Sequence, residues 1–66
     1  MNITVNGEPR VIDPGATLQV LLSGELGAAR GGAAALDGDV VPRSQWPATT
    51  LRDGCVIEIV TAVQGG

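Results

Sequence analysis

The chain of 66 residues contains no His, Lys, Tyr or Phe, and all four of its cationic side chains are arginines. These absences remove the commonest general base, the amine that forms Schiff bases and the phenolic acid. A catalyst built on this sequence would depend on carboxylates, hydroxyl groups and Cys55 alone. We therefore expect the chain not to be an enzyme in its own right.

Cysteine and aromatic residues are equally scarce, with one Cys and one Trp. A single Cys excludes an internal disulfide, a Cys-rich zinc site and a plant-type iron–sulfur cluster, and we expect no metal. Cys55 is interpreted as a small core residue in preference to a redox group. Trp46 is interpreted as a lid on the core in preference to a ligand-stacking group.

The charge balance and the start of the sequence limit location and partners. A net charge of −3 with four scattered arginines provides no basic surface for nucleic acid. No apolar run approaches the ~20 residues that span a bilayer, and residues 1–4 do not resemble a signal peptide. We expect a cytoplasmic protein of one small domain with no membrane association.

The first half of the chain predicts a hairpin followed by a helix. Asn6-Gly7 lies between two short apolar-bearing segments, which is a strong hairpin signal, and Pro9 favours an edge position for the second strand. Thr17 is a candidate N-cap. Apolar residues then recur at helical spacing up to a stop at Gly27; they are Leu18, Leu21, Leu22 and Leu26. Residues 28–32 are predicted to form a flexible connector.

The second half predicts three further elements. Residues 33–36 and the Asp37-Gly38 pair indicate a strand and a tight turn, with Val40 and Val41 beyond it. Residues 44–47 indicate one helical turn, with Ser44 as its cap. The β-branched segment after Gly54 predicts a central strand.

Alternation along this last strand separates two faces. One face carries Ile57, Ile59 and Thr61. The other carries a candidate docking patch that includes a charged residue and is therefore accessible to solvent; its members are Val56, Glu58, Val60 and Ala62.

This order of elements predicts an α+β fold. One main amphipathic helix would cover one face of a mixed sheet of four or five strands, and β-grasp is the natural topology. In that topology the first and last strands lie side by side and parallel. We expect a single domain over residues 1–62 and a flexible tail over residues 63–66.

The tail ends in Gly65-Gly66, which has a probability of only about 2% on this composition. Glycine lets an extended backbone enter a channel that is too narrow for side chains. From Val63 and Gln64 to the end, the tail reaches at most about 14 Å. The reactive group there is the carboxylate of Gly66, which needs activation before a nucleophile can attack it. On position alone, a functional tail and an inert one remain equally open.

The whole pattern resembles the ThiS family, the ubiquitin-like sulfur carriers of thiamine biosynthesis. The resemblance rests on residues 3–8, 15–18 with Leu21 and Leu22, 40–46, 53–54, 57–60 and 62–66. It implies that an E1-like adenylyltransferase activates the Gly66 carboxylate with ATP, while the carrier itself binds no cofactor. A cysteine desulfurase or similar donor would then supply persulfide sulfur, and the resulting thiocarboxylate would deliver sulfur to thiazole synthase. We expect the free carrier to be a monomer.

Two other functions remain open from the sequence. The chain could resemble the small subunit of molybdopterin synthase, although such chains are longer and carry aromatic residues near the tail. It could also be a non-catalytic β-grasp interaction module with an inert end.

Overall fold

The computed structural model describes residues 1–26 and 32–61. Its elements, in chain order, are β1 (Asn2–Val5), β2 (Glu8–Val11), α1 (Leu18–Leu26), β3 (Gly32–Leu36), β4 (Asp39–Val41), a 3₁₀ helix (Arg43–Ala48) and β5 (Val56–Thr61). The five strands form one mixed sheet in the order β2-β1-β5-β3-β4. The predicted central position of the last strand is thereby confirmed.

The hairpin of β1 and β2 forms because its two turn residues accept a left-handed backbone. Asn6 and Gly7 have φ values of 51° and 82°, which match the twist of the flanking strands. β2 lies at the edge of the sheet and has one neighbouring strand, β1. Pro9 has no N–H to donate, and an edge strand tolerates this because no second strand requires a hydrogen bond from it. Both features agree with the sequence prediction.

The first and last strands are parallel neighbours, as predicted. Thr4 is in register with Val56, and Val5 with Ile57. Parallel strands cannot be joined by a tight turn, so the rest of the chain forms the crossover between them. Because β1 and β5 run in the same direction, the C-terminal end of β5 lies at the same end of the strands as the β1–β2 turn.

Helix α1 begins at the predicted cap and covers one face of the sheet. The Thr17 hydroxyl oxygen accepts a hydrogen bond from the Val20 N–H at 3.3 Å, which satisfies one of the free donors of the first turn. Leu18 and Leu22 are buried, each contributing about 1.5–3 kcal/mol of apolar burial. The predicted stop at Gly27 lies outside the described residues. Within the described part of the chain, no helix has the length and apolarity needed to cross a bilayer.

The β3–β4 hairpin confirms the predicted strand over residues 33–36, but the predicted connector extends one residue too far. Gly32 belongs to β3, in register with Thr61 of β5. Gly32 is extended because it pairs with β5, although its local sequence favours a loop. The remainder of that connector, residues 28–31, lies outside the described residues.

The prediction that Ser44 caps a helical turn is wrong. The 3₁₀ helix begins one residue earlier, at Arg43, directly after Pro42, and no side chain caps it. The Pro42 carbonyl accepts the Gln45 N–H at 2.9 Å and closes the first turn. Ser44 consequently lies inside the helix.

The core lies between the inner face of the sheet and the two helices. Its buried members are Ile3, Val5, Leu18, Leu22, Ala34, Trp46, Leu51, Cys55 and Ile57. Trp46 is the core lid that was predicted, and its indole N–H donates to the Val41 carbonyl at 2.9 Å. Cys55 is also buried, in agreement with its interpretation as a core residue.

Candidate functional site: the outer face of the sheet and the end of β5

The outer face of the sheet, on the side away from α1, carries an exposed apolar surface. Val56 and Val60 of β5 are 43% and 65% exposed, and Glu58 between them is exposed as well. The alternation predicted for this strand is confirmed, since Ile57 on the opposite face is 0% exposed. The fourth predicted member of the patch, Ala62, lies outside the described residues.

The β3–β4 hairpin enlarges this surface in a way that the sequence did not predict. Ala33 is in register with Val60, and Ala35 with both Glu58 and Val40. Val40 is 75% exposed. A hairpin prediction pairs Ala35 with Val40, but it does not say which strand lies on the other side. We call this surface the outer patch; its members are Ala33, Ala35, Val40, Val56, Glu58 and Val60.

The outer patch carries a negative charge within an apolar surround. Glu58 supplies the only ionisable side chain of the six residues of the patch. Burial of these exposed apolar side chains against a partner protein would be favourable. The accessible carboxylate at the centre favours a partner that places a cation opposite it. The net charge of −3 on the whole chain has the same sign.

The end of β5 lies directly beside the turn between β1 and β2. The Asn6 N–H donates to the Ile57 carbonyl at 2.9 Å, and the Asn6 side-chain oxygen accepts the Ile59 N–H at 2.8 Å. β5 continues to Thr61. The five residues that follow reach at most about 17 Å in extended form.

The predicted tail itself lies outside the described residues. This applies to Val63, Gln64, Gly65 and Gly66, and to the boundary between a domain of residues 1–62 and a tail of residues 63–66. Their assignment as the partner-channel tail and the modification site stays a prediction.

An open groove of about 510 Å³ lies between β2 and α1. Its lining contains one cation and one carboxylate, Arg10 and Asp13, and otherwise Val20 and other apolar or small residues. The lining includes no hydroxyl, thiol or imidazole group that could serve as a nucleophile with a base beside it. Cys55, the one thiol of the sequence, is buried in the core away from this groove.

Comparison with known proteins shows the family to which the chain belongs. A sequence model described as the ThiS family matches residues 3–66, which is nearly the whole chain.

The chain belongs to the ThiS family.

Two solved structures agree with this assignment. The crystal structure of a thiamine biosynthesis protein, ThiS, from Geobacter metallireducens is 35% identical, with full coverage of both chains and a TM-score of 0.82. The solution structure of a thiamine biosynthesis protein from Geobacter metallireducens is 36% identical, with a TM-score of 0.79, and covers 100% of this chain and 88% of that one. No curated protein sequence matches the chain.

Membership of the ThiS family confirms the predicted fold. The sheet order, the parallel pair β1–β5 and the helix α1 over the inner face make this a β-grasp domain. In this ThiS-family chain, β5 carries Val56, Glu58 and Val60 of the outer patch and precedes the C-terminal residues in the sequence.

Proposed function

We propose that this ThiS-family chain is a sulfur carrier in thiamine biosynthesis, whose working group is the C-terminal carboxylate of Gly66. The observation that carries the proposal is the extent of the family match, which continues through residue 66 and so includes the Gly-Gly end together with the sheet. Family membership also supports a general interaction with enzymes of the thiamine pathway. The chain is then a co-substrate of those enzymes.

The first chemical step activates a group that is otherwise inert. A carboxylate is anionic and has no good leaving group. Its oxygen attacks the α-phosphorus of ATP on an E1-like adenylyltransferase, so that pyrophosphate leaves and an acyl adenylate forms. ATP is consumed on the partner, and the carrier needs no bound cofactor.

The second step places sulfur on the activated carbon. The terminal sulfur of a persulfide, supplied by a cysteine desulfurase or similar donor, attacks the acyl carbon and AMP leaves. The acyl group is then joined through its new carbon–sulfur bond to the donor's sulfur–sulfur bond. A second thiol attacks the donor's sulfur and breaks that sulfur–sulfur bond, so that donor and thiol end as a disulfide and the thiocarboxylate is freed. Thiazole synthase is the proposed acceptor of this sulfur. We expect the free carrier to be a cytoplasmic monomer.

The experiment that tests this function measures the intact mass of the chain after co-expression with an adenylyltransferase and a sulfur donor. We expect a shift equal to one oxygen replaced by sulfur, localised by fragmentation to Gly66. An unshifted mass, with the same enzymes active on another carrier, would contradict the proposal. Pull-down by thiazole synthase, compared with the large subunit of molybdopterin synthase, identifies the acceptor.

The outer patch supplies the docking surface in this proposal, and a pair of matched variants tests that role. Val60→Asp places a charge on the patch, whereas Val20→Asp places it on α1 at nearly the same exposure, 65% against 63%. We expect Val60→Asp to raise the KM of the carrier in adenylation about tenfold or more, because an unpaired charge would be desolvated at the interface. Val20→Asp should leave the KM unchanged. Equal KM values for the two variants would remove the outer patch from the docking surface.

A further inference from the structure

Two hairpin turns of the described chain share an unusual feature. Asn6 and Asp37 are the non-glycine residues with positive φ among residues 1–26 and 32–61, at 51° and 50°. Each is the first residue of a tight turn and is followed by a glycine, Gly7 or Gly38, that also has positive φ. Asn and Asp tolerate this conformation better than other side chains do.

Both turn residues bind the central strand β5, one on each side of it. The Asp37 carboxylate accepts the Val56 N–H at 2.8 Å, and the Asp37 N–H donates to the Val56 carbonyl at 2.7 Å. The Asn6 side-chain oxygen accepts the Ile59 N–H at 2.8 Å. Asp37 therefore holds the beginning of β5, and Asn6 holds the strand closer to its C-terminal end.

The Asn6 side chain takes the place of a strand that has already ended. β1 stops at Val5, whereas β5 continues to Thr61. A longer β1 would offer a backbone carbonyl to the Ile59 N–H, and the Asn6 side-chain oxygen supplies that acceptor instead. The bond holds Ile59 on the side of β5 that faces β1, at a point beyond the end of β1.

We propose that Asn6 is a positioning residue for activation of the C-terminus, and this role rests on the proposed function. An extended segment that enters a narrow channel loses conformational freedom, and the loss is smaller when the strand leading into it is already ordered. Asn6 touches no reacting atom. Its removal therefore weakens binding of the carrier and leaves the chemical step alone.

Asn6→Gly and Asp37→Gly form a matched pair for this test. Each removes one side-chain acceptor for β5, and glycine adopts the positive φ of either turn without strain. Asp37→Gly also removes the exposed ion pair between Asp37 and Arg52, 3.9 Å apart, which contributes little. We expect Asn6→Gly to raise the KM of the carrier in adenylation about fivefold with kcat unchanged, the factor that one hydrogen bond contributes. Asp37→Gly should change neither constant. Asn6→Asp, which keeps an acceptor and tolerates the turn, should have a KM close to that of the wild-type chain.

Amide hydrogen exchange, followed by NMR, gives a measurement that does not depend on the partner enzymes. In the wild-type chain the Ile59 amide should exchange slowly, and Asn6→Gly should accelerate Ile59 while sparing Val56. Asp37→Gly should produce the reverse pattern. A fast-exchanging Ile59 amide in the wild-type chain would overturn the role of Asn6, whether or not the variants fold.

The kinetic outcomes separate this role from the proposed function. If the wild-type chain is adenylated and the two glycine variants share one KM, only the positioning role is overturned. If the wild-type chain is not adenylated at all by an active enzyme, the proposed function is overturned and the positioning role with it.

Discussion

Extending the chain by a few residues beyond Gly66 should abolish thiocarboxylate formation and leave the free energy of unfolding unchanged. The extension converts the only carboxylate at this position into an amide, so no acyl adenylate can form there. The new C-terminal carboxylate lies farther from the sheet and carries side chains before it. Intact mass after co-expression with the adenylyltransferase and sulfur donor measures the effect, and thermal unfolding measures the stability.

A protease-cleavable extension provides the control for this result. Cleavage that leaves Gly66 as the last residue should restore the mass shift in the same preparation. Gly66→Ala keeps the carboxylate but adds a Cβ, and we expect it to lower kcat/KM by about a hundredfold, because small misplacements of a reacting group have effects of that size. Sulfur transfer by the uncleaved, extended chain would contradict the proposed function.

Ile57→Ala should have the largest effect on stability. Ile57 is 0% exposed, lies in the central strand, and is in register with Val5 of β1 and Leu36 of β3. Truncating such a side chain costs about 2–5 kcal/mol. A chain of this length has a free energy of unfolding of roughly 3–10 kcal/mol. We therefore expect a denaturation midpoint far below that of the wild-type chain, or a chain that is largely unfolded.

Val60→Ala is the matched control on the same strand. Val60 lies on the outer face and is 65% exposed, so its truncation should cost less than about 1 kcal/mol. Urea denaturation of the two variants gives the comparison directly. Similar losses for both would contradict the placement of the core on the inner face of β5.

Local sequence is enough to specify two turns, the start of the helix and the buried face of β5. Asn6-Gly7 and Asp37-Gly38 specify their turns because few residue pairs accept a left-handed backbone. Thr17 specifies the start of the helix because its hydroxyl group satisfies a backbone donor. Alternation in β5 specifies which side chains are buried, since successive residues of a strand point to opposite faces. The family resemblance, carried by these features in order, was confirmed by the match over residues 3–66.

How these elements combine depends on contacts between residues that are distant in the sequence. Gly32 joined β3 because β5 lies beside it, and Ser44 fell inside its helix because the carbonyl of Pro42 closes the first turn. Val40 entered the outer patch because β3 lies between β4 and β5 in the sheet.

The same holds for the contact between Asn6 and Ile59, whose residues are 53 positions apart. Local sequence carries the preferences of a residue for its own backbone and for its immediate neighbours. It does not carry the strand order, and the strand order brings the first turn of the chain to the strand from which its last residues depart.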